Sequence, residues 1–326
     1  MTPAEETIIR RWSAALAADI HLTLFRSGGP QDETLSAFCA AFGRVAPRIH
    51  FQPRDSGAER LPGIQIRPGL TYHAAPQGTE LEPFLEAIQI VHQPNPSDRL
   101  ATPTPTTATG LPAYLELFIA PQCPFCPTAV RQALPLLQSG NAFELAVVDS
   151  FLFPLYARDR AVKSVPTLLL EDDYRWTGSL PWQEVVQLIG NRDPAEMGPR
   201  SLRSLLEQGR ADHLADMMIN RRTVFPALYH LLLHPKWPVR LGAMVIVETL
   251  CERDPALARQ VAEPLQKSFQ TVDVAVQGDV LHTIGQTGDT DIISWLEEID
   301  RTTSASEVKE AALEAVLAIR KRSGPN

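Results

Sequence analysis

The order of apolar and polar positions divides the chain into three stretches. In the first, residues 2–16 carry apolar side chains at helical spacing, and 20–25 (Ile-His-Leu-Thr-Leu-Phe) alternate as a half-buried strand does. A Gly-Gly-Pro turn at 28–30 precedes a predicted helix over 31–44 and a strand at 48–51. A hairpin pair at 61–66 and 70–74 and a closing helix over 80–91 complete the stretch. The second stretch repeats this series. It reads as strand 114–119, helix 124–137, strand 143–148, a short helix over 152–162, a hairpin at 167–170 and 174–177, and a closing helix over 181–189. Leu22-Thr-Leu-Phe25 lies over Leu115-Glu-Leu-Phe118, Leu61-Pro62 over Val165-Pro166, and Tyr72 over Trp176. A shared β-α-β, then β-β-α, order marks an internal duplication.

Residues 95–112 interrupt the pattern with Pro, Thr and Ala, the composition of an extended linker. From about residue 193 the chain reads as helix throughout. Three segments there share a template: Val239-Arg-Leu-Gly-Ala243, Val274-Ala-Val-Gln-Gly278 and Val308-Lys-Glu-Ala-Ala312. Each is expected to open an amphipathic helix after a shorter one, over 225–234, 255–269 and 291–299. The small residue four positions after the valine would let neighbouring helices approach closely. This region resembles HEAT repeats in their short bacterial form. The expected organisation is therefore 1–94, a linker at 95–112, 113–192, and helical repeats over 193–326.

Composition narrows the function. Net charge is −8, which argues against a nucleic-acid partner, since such domains carry a basic face. The basic clusters Arg221-Arg222 and Arg320-Lys321-Arg322 fall at predicted helix ends, where they complement the dipole. The first 18 residues lack the basic start and unbroken apolar core of a secretory leader, and no run is long enough to span a bilayer. A cytoplasmic address is expected, with no membrane partner. No G-x-G-x-x-G or Walker loop occurs, so no nucleotide or flavin site is expected.

Of four cysteines, Cys123 and Cys126 form a Cys-Pro-Phe-Cys motif at the start of a predicted helix. A helix N-terminus favours the thiolate, and two intervening residues bring a second thiol within reach of a mixed disulfide. Pro124 suits the first helical position. Cys123 would be the nucleophile and Cys126 the resolving thiol. The motif alone is also half of a zinc site, but no second pair completes four ligands. Cys39 and Cys251 stand alone on predicted helices and read as small buried hydrophobes. His230 and His234 have metal-capable spacing without the Glu of H-E-x-x-H, and read as repeat-core or groove residues. Asp149 reads as a turn residue.

Val165-Pro166-Thr167 enters the strand beyond the cysteine helix. With it, residues 18–190 resemble a tandem thioredoxin fold. Similar families are the glutaredoxin-type protein disulfide oxidoreductases and the N-terminal domain of the alkyl hydroperoxide reductase flavoprotein subunit. The latter also has Cys-x-x-Cys-Pro in its second unit, as Cys126-Pro127 completes here, and none in its first, where Gly29-Pro30-Gln31-Asp32-Glu33 stands. The resemblance implies two thioredoxin-like units, each a mixed sheet flanked by helices, followed by a HEAT-like α-solenoid. In those relatives the two units pack as one body, and the long linker here departs from that. It implies a cis peptide bond at Pro166 and substrate contacts from Pro124, Phe125, Val165 and Thr167. It also implies a buried acid beneath the dithiol, for which Glu116 is the candidate. The function so implied is thiol–disulfide exchange on a protein disulfide. It needs no cofactor beyond the Cys123–Cys126 disulfide, draws electrons from a thioredoxin-reductase-like enzyme or glutathione, and uses the repeats to dock a protein. The rival is a non-catalytic scaffold whose dithiol is a redox switch or relic.

Overall fold

The computed structural model describes residues 1–57, 61–92, 111–139, 143–171 and 174–323. Most of the expected linker, 95–110, lies outside them. The chain separates into two compact units, Met1–Asn191 and Arg192–Asn326.

The first unit is built on eight strands: β1 (Ile20–Arg26), β2 (Ile49–Asp55), β3 (Gly63–Arg67), β4 (Leu70–His73), β5 (Ala113–Ile119), β6 (Phe143–Asp149), β7 (Thr167–Leu170) and β8 (Tyr174–Thr177). They make one sheet in the order β2-β1-β3-β4-β6-β5-β7-β8. The duplication is visible as two four-stranded halves with the same connectivity. The halves are not separate bodies, because β4 and β6 pair in parallel from Leu70↔Leu145 to His73↔Val148. Gly69 permits this joint. Its φ is +88°, and a Cβ there would meet the Phe143 carbonyl oxygen at 2.9 Å. β2 runs four residues past the strand expected at 48–51, through Pro53, because it is the sheet edge and its proline need not donate.

Five helices cover one face: α1 (Pro3–Ala14), α2 (Gln31–Val45), α3 (Leu81–His92), α4 (Cys126–Ala133) and α6 (Trp182–Asn191). Their apolar stripes meet the inward strand positions in one core that holds Phe42, Phe84, Leu117, Val130 and Cys126. The short α5 (Pro154–Asp159) covers the other face of the second half, over Tyr114, Phe118, Ala146 and Leu169.

The second unit is helical: α7 (Pro199–Glu207), α8 (Ala211–Arg221), α9 (Pro226–Leu232), α10 (Trp237–Arg253), α11 (Pro255–Ala258), α12 (Ala262–Ser268), α13 (Val274–Thr287), α14 (Ile293–Thr302) and α15 (Ser306–Ser323). Burial corrects the register of the middle template. Val274 is exposed and Val276 is buried. Counted from Val239, Val276 and Val308, the same helical offsets are buried on α10, α13 and α15. They are Ala243, Ile246, Val247 and Leu250; Val280, Thr283, Ile284 and Thr287; and Ala312, Ala315, Val316 and Ile319. The close helix approach also moves. Gly278 faces open space, whereas a Cβ on Gly285 would lie 2.8 Å from the Cα of Ala315. His230 is exposed and His234 accepts from the Lys236 amide at 3.0 Å, so neither is a core residue. Arg240 ties α10 to α13. Its buried guanidinium bonds Asp279 at 2.6 Å and the His234 and Pro235 carbonyls at 2.8 Å each. Arg240→Ala strips all three partners, and the expected loss is about 3 kcal/mol in denaturant unfolding of the chain. A loss below about 0.5 kcal/mol, the level of an exposed pair, would contradict this account.

Candidate active site around Cys123 and Cys126

β5 delivers the motif to the edge of the sheet where its own C-terminus, the C-terminus of β6 and the start of β7 converge. Helix α4 begins at Cys126, with Pro127 in its first turn. The helix therefore opens two residues later than Pro124, which sits in the preceding bend, exposed to solvent with Phe125. Phe125 is 71% exposed, an unusual state for a phenylalanine. Cys123 is half-buried, and its Sγ donates to the Val165 carbonyl at 3.7 Å. Cys126 is fully buried in the core beneath. Both thiols are free. Burial, followed by a hydrogen bond to Cys123, pushes the Cys126 thiol far above the ordinary thiol range.

The Val165–Pro166 peptide bond is cis, and Pro62, its counterpart in the first half, has no such bond. Of the expected substrate contacts, Pro124, Phe125 and the Val165 backbone lie at this surface. Thr167 does not. It is buried, its hydroxyl donating to the Ser164 carbonyl at 2.8 Å and bonding the Thr177 hydroxyl at 2.9 Å.

Glu116 is buried, but on the wrong side of the sheet. Its neighbours in register are Ala146 and Leu169, on the face covered by α5, while Leu115 and Leu117 point toward α4 and Cys126. Its carboxylate is taken up by the Tyr114 and Tyr156 hydroxyls and by Arg160 at 3.3 Å. The expectation of an acid beneath the dithiol at Glu116 is thereby corrected, because strand alternation sends its side chain away from the thiols.

The acid whose charge acts on Cys126 is Glu80, contributed by the half that lacks the Cys-x-x-Cys motif. It ends a 3₁₀ turn, Gly78–Glu80, that leads into α3 and packs on α4. Two contacts hold this turn. The Gly78 amide donates to Glu5 of α1 at 2.7 Å, and the Thr79 hydroxyl donates to the Pro121 carbonyl at 3.2 Å, next to the motif. Gly78 has φ +59°, a conformation that suits glycine. Glu80 is 2% exposed, and neither carboxyl oxygen has a hydrogen-bond partner. Burial pushes its pKa up to about 7, against the pull of Arg131 and with help from the charge of Asp149. Arg131 of α4 is itself held by Glu86 at 2.8 Å and Glu82 at 3.2 Å. Asp149 ends β6 and accepts from the Phe151 and Leu152 amides at 2.8 and 3.3 Å, the turn role expected of it. In the sequence Glu80 is one more acid in a first helical turn, where dipole complementation is the ordinary explanation. Only the packing of α3 on α4 distinguishes it.

Cys39 is buried and raised to about 12 by desolvation, and Cys251 donates to the Gln286 carbonyl at 3.7 Å. Among the described residues no group of three or more His, Cys, Asp and Glu is placed to hold a metal ion, and no helix is long and apolar enough to cross a membrane.

No known family profile matches the chain. Its sequence is similar to the thioredoxin of Methanocaldococcus jannaschii, 28% identical over 79 residues, which cover 24% of this chain and 93% of that protein. Among solved structures, an alkylhydroperoxide reductase (AhpF) from Enterococcus faecalis matches 58% of this chain and 99% of that one, at 20% identity and a TM-score of 0.47. A protein disulfide oxidoreductase from Aeropyrum pernix matches 58% of this chain and 92% of that one, at 16% identity and a TM-score of 0.48. The first unit is an α/β region built on one mixed sheet, followed by a helix-rich part.

Proposed function

We propose that the chain exchanges thiols and disulfides with a protein substrate through Cys123 and Cys126. The observation that carries this reading is the pairing of a half-exposed thiol with a buried one, beside a buried carboxyl group that has no hydrogen-bond partner and titrates near neutrality. Written as reduction, the Cys123 thiolate attacks one sulfur of the substrate disulfide. That bond breaks, and the leaving thiolate takes a proton from water. Cys126 then passes its proton to ionised Glu80 and attacks the Cys123 sulfur. The second substrate thiolate leaves, and the dithiol has given two electrons. Burial makes Cys126 a poor acid on its own, so a neighbouring base of pKa about 7 lowers the cost of this second step. The Val165 backbone and the exposed Phe125 receive the substrate chain. Return to the reduced state uses a thioredoxin-reductase-like enzyme or glutathione.

The helical part is read as HEAT-like repeats that dock a protein partner. Trp237, Leu241 and Val245 support this, standing exposed at four-residue intervals along α10. Tethering such a surface to a dithiol raises the local concentration of substrate. The reading is tested by mixing the reduced chain with a protein disulfide. Substrate thiols should be released, and peptide mapping should find Cys123 joined to Cys126. Recovery of the chain with both thiols still free, while it retains a bound partner, would instead favour a scaffold.

A further inference from the structure

A cleft of about 230 Å³ lies between the two halves at the sheet edge that carries the dithiol. One wall is the turn that replaces the dithiol motif in the first half, through Ser27 and Gln31, with Leu61 and Pro62 beside it. The other wall is Phe153, Leu155 and Tyr156, at the start of α5. The Gln31 amide crosses to the Leu152 carbonyl at 3.5 Å, which joins the walls at one point.

We infer that this cleft takes an apolar side chain of the substrate polypeptide, near the cysteine under attack; the inference rests on the dithiol reading above. Four observations lead to it. The cleft borders the reaction centre: Leu61 and Tyr156 pack, as Val165 does, on the cluster that contains Phe153, and the Val165 carbonyl accepts the Cys123 thiol. A chain laid along Val165 therefore passes its mouth. Among the described residues the lining contains no carboxylate, ammonium or guanidinium group, so a charged side chain would lose hydration there without compensation. The volume exceeds the ~150 Å³ of an engineered apolar cavity that accommodates benzene, which leaves room for one large aliphatic or aromatic side chain. The wall ends in an exposed apolar side chain, Leu155, which is 64% exposed. Exposed apolar rims of this kind mark binding surfaces.

The same cleft gives Glu116 a task. Tyr156 turns its hydroxyl inward to Glu116, stacks on Phe118 at a 6.1 Å centroid distance, and carries Arg160 over its ring at 5.4 Å. Glu116 is thus a positioning residue for a cleft wall, and it takes no part in the proton transfer.

The test uses the reduced full chain in single turnover with short disulfide-linked peptides. Each carries Phe, Ala or Glu at successive positions on either side of the cysteine. The wild type is also measured with hydroxyethyl disulfide, which has no side chain to place. At the preferred position Phe should react about 10-fold faster than Ala, the scale of discrimination an apolar pocket supplies, and Glu should react more slowly than Ala. In Leu155→Ala the Phe-to-Ala ratio should fall to about 2-fold or less. The ratio is internal to each protein, so it does not depend on the overall activity of the variant. If the wild type releases no thiol from hydroxyethyl disulfide or from any of the peptides, the dithiol reading itself falls. Turnover of that compound with equal Phe and Ala rates at every position would overturn the cleft alone. So would a preference that survives Leu155→Ala but disappears in Phe125→Ala, since it would move the subsite to the motif.

Discussion

Replacing Cys126 by serine should leave the first attack intact and remove the second. Cys123→Ser should remove both. In Cys126→Ser the half-exposed Cys123 still reaches a substrate disulfide, but nothing buried beneath it can release the product. The variant should accumulate a covalent complex through Cys123, stable on a non-reducing gel and dissolved by excess dithiothreitol. Turnover in a coupled assay should fall by about 10³-fold or more in either variant, as losses of a nucleophile do. The two single variants should be nearly as inactive as the double variant, because the thiols act as one unit. A Cys123→Ser protein that still turns over a protein disulfide would end the dithiol reading.

Glu80→Gln should produce the second large effect, in two readouts of opposite sign. The amide cannot accept the Cys126 proton. Decay of the mixed disulfide should slow by about 10²-fold at pH 8, and its rise with pH through about 7 should disappear. Stability should move the other way. The folded pKa of Glu80, about 7, lies above its ordinary value of 4.5. Its contribution is fully present below pH 4.5 and is lost as pH rises through 7, because the unfolded chain ionises Glu80 freely while the fold must bury the charge. Glutamine carries no such cost. At pH 8 the variant should be more stable than the parent by up to about 3 kcal/mol in denaturant unfolding, a difference that vanishes near pH 4. A gain in stability with slower resolution is the pattern of a site that holds an unfavourable group for its chemistry. Loss of stability with unchanged resolution would assign Glu80 a purely structural part.

Much of this protein was legible in its one-dimensional pattern. Alternation and helical spacing placed the elements of both halves, since each strand and helix has one buried face whose period survives in the sequence. The duplication identified the cysteine-free turn, and the order of elements set Cys123 and Cys126 before a helix and Pro166 before a strand. Three things depended on tertiary structure. Strand alternation shows that Glu116 shares a face with Phe118, but which face looks toward Cys126 depends on where α4 packs, and α4 lies on the other. Glu80 is 43 residues from Cys123 in sequence and belongs to the other half. Only the pairing of β4 with β6 brings α3 against α4 and buries that carboxyl group beside the thiols. In the helical part, the valine template was two residues out of register on α13, because Val274 and Val276 look alike in sequence and only burial separates them. Local pattern is set by each element's own period, whereas the environment of a charge is set by elements far apart in the chain. The dithiol could therefore be read from the sequence, and the acid that serves it could not.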